Sequence, residues 1–156
     1  MKNKPVPAES IPAPEGNTVY PKPFSSIVEG RVKRKLGNYF GLTNFGINLT
    51  QLEPGSASAL LHHLLKQDEF IYILQGTPTL LLNDEEYVMK AGDCHGVKAG
   101  EGIAAQLINK SQELVVYIEV GDRTAGDEVD YPNDDLKAKQ LPSGEWRFSH
   151  NDGRPY

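Results

Sequence analysis

The chain of 156 residues contains a single cysteine, a single tryptophan and no apolar run long enough to span a bilayer. Cys94 has no partner within the chain, so the fold cannot rest on an internal disulfide, and nothing points to an oxidising compartment. Positive charge is also scarce, with 16 Lys and Arg against 21 Asp and Glu and a formal net charge of -5. Such a surface repels nucleic acid and anionic membranes alike, which leaves small molecules or other proteins as partners. No repeat at solenoid or propeller spacing is visible. The first residues carry Pro5, Pro7, Pro12 and Pro14 and no apolar segment of the signal-peptide kind, so a cytoplasmic protein is expected.

The chain is rich in turn formers, with 15 Gly and 11 Pro, and its length suits one domain with a real core. Residues 1–18 read as a mobile or loosely attached Pro-rich arm and residues 19–156 as one domain, with a barrel core over about 40–120 and a short C-terminal extension over 121–156. Period-two runs predict strands at 40–52, 69–74, 79–82, 87–89, 103–108 and 114–120. Turn residues separate them, including Pro54-Gly55, Gln75-Gly76, Asn83-Asp84, Gly92-Asp93 and Ala99-Gly100. Within the first run Phe45, Ile47 and Leu49 alternate with Asn44, Asn48 and Thr50, so one face packs and the other meets water or a cavity. The pattern is that of an all-β sandwich or barrel.

In the extension, the acidic residues Asp127, Glu128, Asp130, Asp134 and Asp135 read as a solvated loop, because they lack the alternation around a central glycine that calcium loops need. Trp146 and Phe148 read as a closing strand on the barrel exterior, and His150 as a solvated tail residue. Cys94 and His95 are adjacent, which on a strand sends their side chains to opposite faces and argues against a nucleophile and base.

Residues 55–76 resemble the first motif of the cupins, in which a glycine precedes a His-x-His pair, a glutamate follows, and a second glycine closes the motif. Gly55, His62, Glu69 and Gly76 keep that order, and Glu69 and Gly76 keep its spacing. Gly92-Asp93, Gly100 and Asn109 resemble the second motif, with Lys98 at the position of its proline. The resemblance implies a single double-stranded β-helix, or jelly-roll, barrel and a homodimer. It is similar in particular to small single-domain bacterial cupins of unassigned activity.

The same resemblance implies a metal held by two histidines and the glutamate of the first motif and one histidine of the second. Here Leu64 stands at the second histidine and Ala105 at the last, leaving His62 and Glu69. A catalytic zinc keeps three protein ligands, and non-haem iron takes two histidines with a carboxylate, so no cofactor is firmly expected. If His62 faces the interior, strand alternation sends His63 outward. Only a one-residue slip would bring His63 inside, with Gln106 as a weak fourth ligand, and a slip would expose the strand's apolar set.

The leading expectation is therefore a barrel that binds a small polar molecule, sugar- or carboxylate-like, without a firmly bound metal. His62 and Glu69 would orient that ligand, with Asn44, Asn48 and Gln106 as further hydrogen-bonding groups. Two alternatives remain at this level. One is a divalent-metal enzyme, an isomerase or dioxygenase relative, using His62, His63 and Glu69. The other is a non-catalytic dimeric interaction protein.

Overall fold

The computed structural model describes residues 4–14 and 18–156. Strand β1, Arg31–Lys35, runs into a short helix α1, Leu36–Phe40, before β2, Phe45–Leu52. Then follow β3 (His63–Leu64), β4 (Glu69–Gln75), β5 (Thr79–Leu82), β6 (Glu85–Val88), β7 (Cys94–Val97), β8 (Ala105–Ile108) and β9 (Val115–Asp122). Strands β10 (Glu128–Asp130), β11 (Lys137–Gln140) and β12 (Trp146–Ser149) complete the order. Among the described residues no helix is long and apolar enough to cross a membrane.

Two antiparallel layers face each other. One is the five-stranded sheet β1-β2-β9-β4-β7. The other joins β12-β11-β10-β3 to β6-β5-β8 through the single bridges His62 to Ala105 and Ala57 to Ile108. The result is an all-β jelly-roll barrel. Directly opposed residues share a face, so the register sorts the five-stranded sheet cleanly. Lys33, Thr50 and Tyr117 fall in one inward row, and Lys35, Asn48, Glu119 and Ile71 in the next.

One end of the interior is filled by Leu52, Ile73, Leu80, Met89, Leu107, Val115 and Tyr117. A second cluster, Leu60, Val129, Tyr131, Leu136 and Ala138, forms against the other layer. Each fully buried side chain of this size contributes roughly 1.5–3 kcal/mol. Two motif residues explain themselves structurally. Gly76 adopts φ +85°, and a Cβ there would lie 2.7 Å from the Leu114 carbonyl oxygen. Asn109, fully buried, donates to the carbonyls of Leu52 at 2.8 Å and Glu113 at 2.7 Å, so it pins two chain segments together.

Several expectations change. The first predicted strand is shorter at its start, because α1 occupies residues 36–40 and Gly41, at φ +73°, closes it. Asn44 therefore falls in an exposed loop. The acidic run is not a solvated loop throughout: Asp127 is fully buried, and its Oδ1 accepts from the amides of Leu65 at 3.1 Å, Lys66 at 2.8 Å and Glu128 at 2.8 Å. Three backbone donors offset the cost of burying a carboxylate.

Trp146 and Phe148 pack on the second cluster and line the interior rather than lying on the outside. His150 is held 2.7 Å from Asp135 Oδ2 and stacked at 3.9 Å on Tyr156, not free in solvent. In the N-terminal segment Ile11 is 4% exposed, and Arg34 Nε donates to the Glu9 carbonyl at 3.2 Å, so this stretch lies against the protein. The expectation for residues 1–3 and 15–17 falls outside the described residues.

Candidate functional site

A cavity of about 810 Å³ lies between the two apolar clusters, within the range of small-molecule sites. His62 reaches it from the segment entering β3, where its backbone bonds Ala105 in both directions, at 3.3 Å and 2.8 Å. Alternation then gives His62 and Leu64 to the cavity and turns His63 away. His63 pairs across the sheet with Asp130, its Nε2 3.8 Å from that carboxylate. The slipped register that would have brought His63 to Glu69 is not adopted.

The His62 ring is fixed from behind. Its Nδ1 lies 2.8 Å from the Leu60 carbonyl oxygen, which can only accept, so Nδ1 carries a hydrogen. Nε2 then faces Glu69 Oε2 at 3.6 Å, a close ion pair just beyond hydrogen-bond length. Burial works to lower the His62 pKa, but the Glu69 carboxylate and the Leu60 carbonyl outweigh it and raise the value. Burial likewise works to raise that of Glu69, and His62 with Lys33 overcomes it, holding the carboxyl below its ordinary range. The Glu69 side chain is 40% exposed because the cavity itself admits solvent. Below the raised His62 value the site holds an imidazolium beside a carboxylate. Tyr131 flanks the ring at a centroid distance of 5.9 Å, and Tyr20, whose hydroxyl accepts from the Leu60 amide at 3.3 Å, packs on Tyr131.

A second polar group occupies the opposite wall. Glu119 Oε1 accepts from Lys33 Nζ at 2.6 Å, Asn48 Nδ2 at 3.1 Å and Thr50 Oγ1 at 3.2 Å. Tyr117 lies beside Thr50 across the sheet, and its fully buried hydroxyl has no hydrogen bond of good geometry, while Thr50 donates to Glu119. Burial and the charge of Glu119 push the Tyr117 pKa well up. Gln106 lines the cavity and donates to the Ala59 carbonyl at 2.7 Å. Of the five residues expected at the site, His62, Glu69, Asn48 and Gln106 line one cavity, and Asn44 does not.

Sequence reasoning missed the basic wall. Arg31, Lys33 and Lys35 all line the cavity because β1 alternates, and Arg123 joins them from the end of β9. The signal was present as the pattern Arg-Val-Lys-Arg-Lys, but four cations in five residues read as solvated charge unless the strand and its facing are known. His95 also faces the cavity, whereas Cys94 is exposed on the outer side.

The donor set does not fit a resident divalent metal. His62 and Glu69 are the two conventional ligands at the motif position, Leu64 and Ala105 offer none, and among the described residues no three His, Cys, Asp or Glu side chains converge as a metal cluster.

Two antiparallel layers enclosing a polar cavity, with motif glycines at the turns and an asparagine tying the exit of β8, define a jelly-roll barrel. The chain belongs to the cupin superfamily: the Cupin_2 family, described as a cupin domain, matches residues 48–121. It is similar to a cupin-superfamily sugar phosphate isomerase of Silicibacter pomeroyi, with 34% identity and a TM-score of 0.91 over 98% of this chain and 96% of that one. It is also similar to a candidate sugar phosphate isomerase of Acidithiobacillus ferrooxidans, with 32% identity and a TM-score of 0.72 over 81% and 80% of the two chains. The polyketide cyclase RemF of Streptomyces resistomycificus shares the fold at 17% identity and a TM-score of 0.60, over 76% of this chain and 78% of its own. No curated protein matches the chain.

Proposed function

We propose that the barrel binds a phosphorylated sugar and interconverts its aldose and ketose forms by proton transfer, using His62 and Glu69 without a resident metal. The observation that carries this reading is the His62–Glu69 ion pair, oriented by the Nδ1–H bond to Leu60 and open to a cavity with a basic wall. Support comes from the two relatives above 30% identity, one described as a sugar phosphate isomerase and the other as a candidate one.

The chemistry follows from the charge states. Glu69 removes the proton from the hydroxyl-bearing carbon next to the carbonyl. As that electron pair forms the carbon–carbon double bond, His62 gives its Nε2 proton to the carbonyl oxygen, and an enediol results. Glu69 then delivers its proton to the former carbonyl carbon, and neutral His62 takes the proton of the neighbouring hydroxyl as the new carbonyl forms. Both residues return to their starting states. The fixed Nδ1 hydrogen keeps Nε2 as the transferring atom throughout.

The test is proton NMR of a panel of triose to hexose phosphates incubated with the protein in deuterated water. Deuterium is expected at the carbon beside the carbonyl, with Glu69→Gln slowing exchange by about 100-fold or more while binding persists. Binding without exchange for every member would leave a ligand-binding barrel and end the proposed reaction.

A further inference from the structure

Strand β1 sends three cations inward, and their circumstances differ. Lys33 is neutralised by Glu119 at 2.6 Å, and the Arg31 guanidinium donates to the Ser58 carbonyl at 2.5 Å. Lys35 lines the cavity near its exposed rim. Arg123 lines it too, donating from Nη1 to the Leu42 carbonyl at 3.0 Å and from its other terminal nitrogen to Asn38 Oδ1. These neutral acceptors hold the guanidinium in place without cancelling its charge. Among the described residues neither Lys35 nor Arg123 has a carboxylate within ion-pair distance.

Between Lys35 and Glu69 the inner wall is bare backbone, with the Arg123 guanidinium lying over Gly46. Gly46 pairs with Gly121, and Gly121 pairs with Glu69, so two neighbouring inward positions of one row carry no side chain. Nothing in the packing demands glycine at position 46. A Cβ there would meet Arg123 Nε and the Gly121 carbonyl at an ordinary 3.8 Å, and the backbone lies in extended β2. Glycine weakens a strand interior, and it marks places where another group must come close.

We propose that Lys35 and Arg123 form a subsite for a phosphate-type dianion, seated over Gly46 and Gly121 at the mouth of the cavity. The negative charge of Glu69 keeps the anion on the Lys35 and Arg123 side. It thereby sets the direction of the ligand, with the phosphate at the rim and the uncharged end towards His62 and Glu69. The subsite rests on the reading of the cavity as a ligand site, not on the proton transfer. Its occupant is either the phosphate of a sugar phosphate or free phosphate.

The probe is inorganic phosphate, titrated at constant ionic strength while backbone amide shifts are followed by NMR. Saturable shifts are expected at Gly46, Gly121 and Arg123. Lys35→Met should weaken binding by about tenfold, the loss expected of one charge-assisted hydrogen bond. Lys110→Met removes the same charge at a surface site paired with Glu86, and it should leave binding unchanged. Glu69→Gln should preserve or tighten it. Arg123→Lys is the second variant, because it keeps the charge if loss of the Asn38 and Leu42 bonds disturbs the loop.

Absence of saturable shifts at those amides, or equal binding by wild type and Lys35→Met, overturns the subsite. A paired titration with a ketose phosphate and its unphosphorylated sugar separates the sources: tighter binding of the phosphorylated form that is lost in Lys35→Met assigns the subsite to the sugar's own phosphate. If phosphate binds but no sugar phosphate exchanges deuterium, the isomerisation fails and the subsite stands. Exchange of deuterium without saturable phosphate shifts removes the subsite and leaves the isomerisation standing.

Discussion

His62 and Glu69 set each other's charge, and this has a sign that can be measured. The folded-state pKa of His62 is raised above 6.5, so its stabilising contribution is complete below that value and is lost as pH rises through the raised one. That of Glu69 is lowered from 4.5, so its contribution is present above that value and is lost as pH falls through the depressed one. The pair is therefore most stabilising between roughly pH 4.5 and 6.5. Urea denaturation of wild type and Glu69→Gln should show their largest stability difference in that window and a smaller one on either side. Imidazole NMR gives a sharper reading. In Glu69→Gln the burial that opposes protonation is no longer countered by the carboxylate, so His62 should titrate below its ordinary value instead of above it. An unchanged His62 titration would remove the proposed acid from its role. Both residues were legible in the sequence through its resemblance to the first cupin motif. Lys33 and Glu119 were not, since their 2.6 Å contact joins residues far apart in the chain and depends on register.

At the scale of strands, position 64 in β3 and position 105 in β8 decide which chemistry the barrel can perform. The bridge from His62 to Ala105 and the alternation to Leu64 place positions 64 and 105 where additional ligands would meet His62 and Glu69. Leu64→His with Ala105→His should therefore create a metal site, with near-stoichiometric zinc or manganese in the purified double variant and none in wild type by elemental analysis. Failure of the double variant to take up metal, while still folded by circular dichroism, would mean that these positions do not converge. Here the sequence was informative about facing. Period two alone sets His62 and His63 on opposite faces, and likewise puts Asn48 and Thr50 on one face; the resemblance to the first cupin motif is what points His62 inward. It was uninformative about where strands begin. Asn44 looked like a member of the same face, but α1 and its glycine stop delay β2 to Phe45. Strand β1 was hidden for a different reason: cations are a poor signal of a strand whose inner face lines a cavity.

For the whole molecule, the C-terminal extension is a wall of the cavity and not an appendage. Strand β10 pairs with β3, β11 with β10 and β12 with β11, so the chain after residue 121 completes the layer opposite the basic wall. Tyr131, Trp146 and Phe148 come from this extension and line the cavity, and Tyr156 closes on Phe24 at 5.7 Å. The acidic composition of the segment concealed this role, because the alternating charges of β10 and β11 lie on an outer face where Lys139 meets Glu128 at 2.9 Å and Lys137 meets Asp130 at 3.7 Å. Exposed pairs of that kind contribute little, so the second cluster, with Trp146 and Phe148 packed on it, carries more of the hold on this layer. Deleting residues 142–156 removes β12 with Trp146 and Phe148, both partly buried against the second cluster. The loss of apolar burial predicts a stability decrease of about 2–4 kcal/mol, read from urea denaturation, with the remaining chain still β-rich by circular dichroism. Because the deletion unpacks the aromatic residues next to Tyr131 and Tyr20, it should also loosen the Leu60 backing of His62 and slow deuterium exchange. A truncated protein with unchanged midpoint and unchanged exchange would return the extension to the passive role that its composition first suggested.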